Sequence, residues 1–225
     1  MKSRLLIIVT LVSVSFGYSQ YRDVNVTTYG SLAEVGSIYG ESEELKGTSY
    51  IDENFQSAKL LKNSNIFPAR YNAFKDEMEI QNEEKIYNIK KKYNFPINFL
   101  KSSKTYQVYD YLNSKGKGTG YFVVLYNGAG EGASLLLHEK IKFEEEVVKT
   151  SGYNNYSAPT LERVKDKMYI SFKSNIATEL PRSQKSILNL FGDSSKKIKS
   201  YAQKHKLNFK EKQDLIQILK YYNSL

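Results

Sequence analysis

Residues 47–80 read GTSYIDENFQSAKLLKNSNIFPARYNAFKDEMEI. This stretch decides the fold. Ser57 to Lys62 has the length of a short strand. Asn63-Ser64-Asn65 makes a turn, because Asn and Ser side chains bond nearby backbone groups. Ile66 to Phe74 makes a second strand. Pro68 has no N–H to give to a ladder, so it belongs at a strand start or edge. Ala69, Tyr71 and Ala73 then share one face, and Arg70, Asn72 and Phe74 the other. Lys75-Asp76 forms the next turn. Beyond it Met78 and Ile80 point inward, with Glu77 and Glu79 outward. This is the opening of a β-sheet, and nothing in it reads as an active site.

The same alternation continues. Lys85 to Lys90 alternates weakly, and Ile97 to Leu100 is a short apolar run. Thr105 to Leu112 places Tyr106, Val108, Asp110 and Leu112 on one face. Tyr121 to Tyr126 is apolar on both faces, as in a strand covered on both sides or in one wall of a tightly curved sheet. Ser134 to Phe143 puts Leu135, Leu137, Ile141 and Phe143 together. Thr160 to Val164 and Met168 to Lys173, joined by Lys165-Asp166-Lys167, predict a hairpin with Met168, Ile170 and Phe172 inward. Short strands at this spacing, with no long helices between them, predict an antiparallel meander rather than a parallel sheet.

The period changes after Pro181. Ile187, Leu188 and Phe191 fall together at helical spacing in Ser183 to Phe191. Gly192 ends that helix, and Asp193 is placed to N-cap the next, which groups Ile198, Tyr201, Ala202 and His205. A last helix, Lys210 to Tyr222, turns Leu215, Ile216, Leu219 and Tyr222 inward and starts without a good cap. The fold class expected is α+β: a mainly antiparallel β meander, as a curved sheet or partly open barrel, followed by a small C-terminal helical subdomain.

The N-terminus carries the marks of an export signal. Lys2 and Arg4 precede the apolar run Leu5 to Phe16, and Gly17 and Ser19 have the spacing that signal peptidase reads. The run falls short of the roughly 20 residues that span a bilayer. Cleavage after Ser19 leaves Gln20 first. With no cysteine in the chain, neither a lipoprotein anchor nor a disulfide can form. The expected place is the periplasm or surface of a diderm bacterium, with no transmembrane segment in the mature chain. Its length is enough for a core without staples.

Charge is unevenly placed. The chain has 33 Lys and Arg against 24 Asp and Glu. From Arg182 onward ten basic residues face only Asp193, Glu211 and Asp214. The body before it is balanced once the signal is removed. The expected organisation is a signal peptide over 1–19, a loosely ordered lead-in over 20–46, the β domain over 47–181, and a basic helical subdomain over 182–225.

The pieces GTSYIDENF, RYNAFKDEMEI, GYFVVL and KHKLNFKEKQDLIQILKYYNSL, with the ending Tyr221-Tyr222-Asn223-Ser224-Leu225 and the Gln20 terminus, resemble an exported β-rich family of bacteroidete bacteria. The resemblance covers most of the mature chain. It implies the cell envelope and carries no assigned activity or functional residue.

Few stretches invite a chemical reading. Gly116 to Gly120 and Gly128 to Gly132 each precede a strand pattern rather than a helix, so they read as turns and not as phosphate loops. His138-Glu139-Lys140-Ile141-Lys142 starts like a zinc-protease motif but has Lys142 at the second ligand position, on a strand-like run. His205 is the only other histidine, so no metal and no cofactor is expected. Asp76 and Glu77 are the pair a glycan hydrolase would use, since that chemistry needs two carboxylates flanking a cleft. Glu144 to Glu146 reads as a solvated face. Among 19 tyrosines, Tyr153 and Tyr156, with Asn154 between them, form the most exposed cluster and the first candidate contact surface. Lys196, Lys197, Lys199 and Lys204 form the second, able to attract an anionic surface. No nucleic-acid partner is expected, because export takes the chain away from nucleic acid and the tail lacks interleaved aromatics. The expectation is a non-enzymatic envelope binding module whose partner is a protein, a glycan or an anionic surface. The alternative is a carboxylate-based hydrolase of envelope glycans.

Overall fold

The computed structural model describes residues 26–28, 45–60, 65–128, 132–145, 147–148, 156–173 and 175–225. The signal peptide and most of the lead-in lie outside them. Strands β1 (Val26–Thr28) and β2 (Lys46–Gly47) precede the antiparallel neighbours β3 (Gln56–Leu60), β4 (Ile66–Asn72), β5 (Glu77–Asn82) and β6 (Lys85–Ile89). Then come β7 (Ile97–Phe99), β8 (Lys104–Asn113), β9 (Gly116–Tyr126) and β10 (Ser134–His138). The rest are β11 (Ile141–Glu144), β12 (Val147–Val148), β13 (Tyr156–Ser157), β14 (Thr160–Arg163), β15 (Lys167–Ser171) and β16 (Ile176–Glu179). Three helices follow: α1 (Gln184–Asn189), α2 (Ser195–Lys204) and α3 (Lys212–Tyr222). The fold is α+β.

Eleven strands share one sheet in the order β1-β6-β5-β4-β3-β7-β8-β16-β15-β10-β9. β9 also pairs with β8 along nearly its whole length, from Tyr106↔Val123 to Asn113↔Gly116. The pairings β8–β9, β9–β10, β10–β15, β15–β16 and β16–β8 therefore run in a closed ring. The other edge of β8 is shared: β7 takes residues 104–106 and β16 takes residues 110–112. The meander β3 to β7 hangs from the ring as a curled extension.

This closure explains the doubly apolar β9. Tyr121 and Val123 face the core of the meander, with Tyr71, Met78, Ile89 and Tyr106. Phe122 and Val124 face the inside of the ring, with Tyr109, Leu136, Tyr169 and Ala177. Gly118 also belongs to β9 rather than to a turn. A Cβ there would lie 2.5 Å from the Tyr111 ring, so glycine makes room for that tyrosine. Gly116, with φ of 124°, opens β9 directly after the Ser114-Lys115 turn. Of the second glycine cluster, residues 129–131 lie outside the described residues.

Several expectations need correction. The hairpin between 160–164 and 168–173 does not form. β14 pairs with β11 and, in parallel, with β2, whereas β15 pairs with β10 and β16. The predicted strand Ser134 to Phe143 is two strands in two sheets, broken at Glu139-Lys140. Glu79 is not outward: it is buried beside Arg70. Among the described residues parallel pairing occurs twice, at β16–β8 and β14–β2. β16 itself is too short and mixed to show an alternation.

The helices keep their places. Ser183 caps α1 through its hydroxyl, which accepts from the Ser186 N–H. Asp193 does not cap α2. It sits inside a 3-10 turn, Gly192–Ser194, and Ser194 precedes α2 without a side-chain cap. α3 likewise starts without a capping side chain. Ile187, Phe191, Ile198, Leu215, Ile218 and Leu219 form one core with Ala133, Leu135 and Ile170, on the outer face of β10 and β15. The chain end is tied down too. The Asn223 amide accepts from the Ala133 N–H at 2.7 Å and donates to the Ala133 carbonyl at 3.0 Å, as a strand neighbour would.

Candidate functional site

Asp76 sits in the turn between β4 and β5 with φ of 57°, a conformation that Asp tolerates better than most residues. Its Oδ1 accepts from the Tyr71 hydroxyl at 2.7 Å and from the Tyr121 N–H at 3.0 Å. Its Oδ2 holds the Lys91 ammonium at 2.6 Å. Glu77 accepts from the Asn88 amide at 2.9 Å. The Asp76 carboxylate clips the meander to β9, and burial together with its charge holds the Tyr71 hydroxyl well above its ordinary pKa.

Glu79 has the same kind of partners. It accepts from Arg70 Nε at 2.8 Å, the Tyr50 hydroxyl at 3.1 Å and Asn72 at 3.4 Å. The Arg70 guanidinium lies over the Tyr50 ring at 3.8 Å and the Phe55 ring at 4.4 Å. Burial, then the Glu79 charge, pushes the Tyr50 hydroxyl up to about 12.

Glu139 is the most enclosed carboxylate, with its side chain 1% exposed. It accepts from Lys104 at 2.7 Å, Arg163 at 2.7 Å and the Tyr106 hydroxyl at 2.5 Å. Burial opposes its ionisation. The hydrogen bonds from Lys104 and Tyr106 and the two cationic charges outweigh that, so its pKa lies below the ordinary value. This is why β10 and β11 break apart at Glu139. The carboxylate turns under β8 and fixes β14 through Arg163.

Above these two clusters is a cavity of 240 Å³. The loop before β3 contributes Asp52 and Asn54, and β3 contributes Gln56. Ser102, Lys104 and Tyr106 come from the turn into β8 and from β8 itself, and Arg163 from the end of β14. Phe99, Tyr71 and Tyr106 lie beneath, the Tyr71–Tyr106 centroids 5.0 Å apart and the Phe99–Tyr106 centroids 5.4 Å apart. Asp76 and Glu77 do not line it. Sequence reasoning missed the whole set, because its members are spread from Ile51 to Arg163. One signal was present: Glu139 falls on the alternating face of Leu135, Leu137, Ile141 and Phe143, where a strand would place a carboxylate among apolar side chains.

Of the first candidate contact cluster, Tyr153 and Asn154 lie outside the described residues. Tyr156 belongs to β13, which pairs with β12. The second is well defined. Lys196, Lys197, Lys199 and Lys204 are exposed on α2, opposite the buried Ile198 and Ala202. None of the four has an ion-pair partner among the described residues.

His138 lies inside the ring of strands, stacked on Phe122 at 4.7 Å and close to Tyr111 and Tyr169. Burial pushes its pKa down, against the pull of Asp76. Among the described residues no group of three or more His, Cys, Asp or Glu could hold a metal ion. No helix among them is long and apolar enough to cross a membrane.

No known protein family, no curated protein and no solved structure matches the chain. The resemblance to an exported bacteroidete family therefore rests on the residues that suggested it.

Proposed function

We propose that this chain is an exported, non-enzymatic envelope protein that binds an anionic surface of the envelope through α2. The observation that carries the reading is the position of Lys196 and Lys197. They occupy the first turn of α2, which contains no acidic residue. The helix dipole presents positive charge there, so each lysine costs about 0.3–1 kcal/mol where an acid would stabilise. Neither side chain recovers that cost in an ion pair. Together with Lys199 and Lys204 they make one cationic face. Compact ammonium groups on flexible stems suit phosphate-bearing head groups, which offer diffuse charge rather than one fixed geometry. Near such a surface each lysine contributes about 1 kcal/mol.

The carboxylates favour binding over hydrolysis. A glycan hydrolase needs a carboxyl whose pKa is raised so that it can donate a proton. Asp76 is committed to three donors, and Glu139 is shifted in the opposite direction.

The experiment is co-sedimentation of the mature chain with phospholipid vesicles. Vesicles containing an anionic lipid should bring it down and neutral vesicles should not. Binding should vanish near 1 M salt, where screening acts within about 3 Å. The fourfold change of Lys196, Lys197, Lys199 and Lys204 to Gln should weaken binding by about three orders of magnitude. Equal binding to both vesicles, or no effect of the fourfold change, overturns the reading.

A further inference from the structure

We propose that the cavity over Tyr71, Phe99 and Tyr106 binds a small neutral polyhydroxylated molecule, of the class of a single sugar ring. The site shares no residue with the α2 face and does not depend on it.

Size is the first argument. A cavity of 240 Å³ is below the roughly 300–1,000 Å³ of pockets that enclose drug-sized ligands. It suits one ring, not a chain.

Charge is the second. Arg70, Lys104 and Arg163 line the cavity, which at first sight suits an anion. Each is already committed: Arg70 to Glu79, Lys104 and Arg163 to Glu139, and Arg163 also to Asp166. The wall adds Asp52, whose Oδ2 holds the Gln56 amide nitrogen and whose Oδ1 accepts from the Asn54 N–H. The carboxylates Asp52, Glu79, Glu139 and Asp166 thus offset the three cations, and the wall carries no net positive charge to draw an anion in.

Hydrogen-bonding capacity is the third. The Lys104 ammonium gives one of its three protons to Glu139, leaving donors to spare. Arg163 uses Nη2 for both of its carboxylates. On the accepting side the half-buried Asp52 carboxylate keeps a further lone pair on each oxygen beside its bonds from Gln56 and Asn54. Ser102 can do either. Such a wall asks for groups that donate and accept at once, and the hydroxyl is that group. The rings beneath provide apolar contact for the C–H face that a sugar ring also carries.

The test uses the mature full chain and calorimetric titration with three kinds of probe on one ring framework: neutral hexoses (glucose, galactose, mannose), glucosamine and glucuronate. At least one neutral hexose should bind, and glucuronate should bind at least about tenfold more weakly than that hexose. Gln56→Leu should weaken hexose binding about tenfold, because it removes the amide that holds the Asp52 carboxylate in the wall. Asn54→Ala, at an exposed position, serves as the second variant should Gln56→Leu melt early. The lysine-to-glutamine variant of α2 should bind the hexose as the parent does. Three results each overturn the proposal: no hexose binds, glucuronate binds best, or neither cavity variant changes hexose affinity.

Discussion

Charges in the sheet face one another, whereas charges in the helices face water. Among the described residues seven ion pairs join side chains between Arg70 and Glu179. Residues 182–225 contribute none to the pairs among the described residues, although ten of them are basic. In the sheet the pairs are architectural. Asp76 and Glu139 each tie together segments distant in sequence, and Glu79 ties β5 to its neighbour β4 and to Tyr50, at places where an unpaired carboxylate would be costly. In the helices the apolar side holds the structure, and the polar side is left with an uncompensated excess. The difference separates two uses of the same residue types. Where lysine has a partner it fixes the fold, and where it has none it is available to something outside.

That comparison fails if the helices are an independent unit. Leu215→Ala empties a wholly buried site in the core that α3 shares with Ile170 of β15. It should cost about 2–5 kcal/mol. Helical and aromatic circular dichroism should then melt together at the lowered temperature. Two separate transitions would show that the regions do not support each other.

The next largest effect concerns the paired charges. Glu139→Gln should cost about 1–3 kcal/mol in denaturant titration. That is less than the 3–5 kcal/mol typical of breaking a fully buried pair, because Lys104 and Arg163 are partly exposed and can turn to water. No loss of stability would place Glu139 among the ornamental charges.

Acid should act in two windows. His138 has a folded pKa below its unfolded value near 6.5. The unfolded chain takes up its proton first, so this contribution is whole above about pH 6.5 and shrinks as pH falls below it. Glu139 also has a depressed folded pKa. Its contribution is whole above about pH 4.5 and is lost as pH drops through the folded value. His138→Phe should flatten the upper window of a stability-against-pH curve and Glu139→Gln the lower. If either variant keeps the parent's slope in its window, that assignment is wrong.

The smallest effect has the opposite sign. Lys196→Glu and Lys197→Glu should each stabilise the chain by about 0.3–1 kcal/mol, read from the melting temperature, while reducing vesicle binding. Destabilisation would mean that the two lysines have a structural task after all.

Much of this was legible in the sequence wherever the deciding partners lie close by. The face Ala69-Tyr71-Ala73, the turn at Asp76, the doubly covered β9 and the three helices all follow from local period and turn chemistry. What stayed hidden depends on distant partners. Glu79 alternates like a solvent-facing residue, and Arg70, Tyr50 and Asn72 make its burial tolerable. The break at Glu139 is decided by Lys104 and Arg163, 35 and 24 positions away. The 160–173 hairpin failed because β14 found β11 and β15 found β10, a choice that local alternation cannot see. The cavity was illegible for the same reason, since no single segment supplies more than a few of its walls.

β16 is the last strand to be made, and it completes the ring by lying parallel to β8, whose partner residues 110–112 come more than sixty positions earlier. A chain emerging N-terminus first must therefore keep that side of β8 unpaired until nearly all of the sheet has appeared. During this interval it exposes a bare ladder edge, the kind of surface on which unfinished chains stick to one another. Such a late, long-range closure makes for slow folding. A protein assembled this way has reason to depend on holdase chaperones during its maturation, and its yield should fall with expression rate well before its finished form shows any weakness.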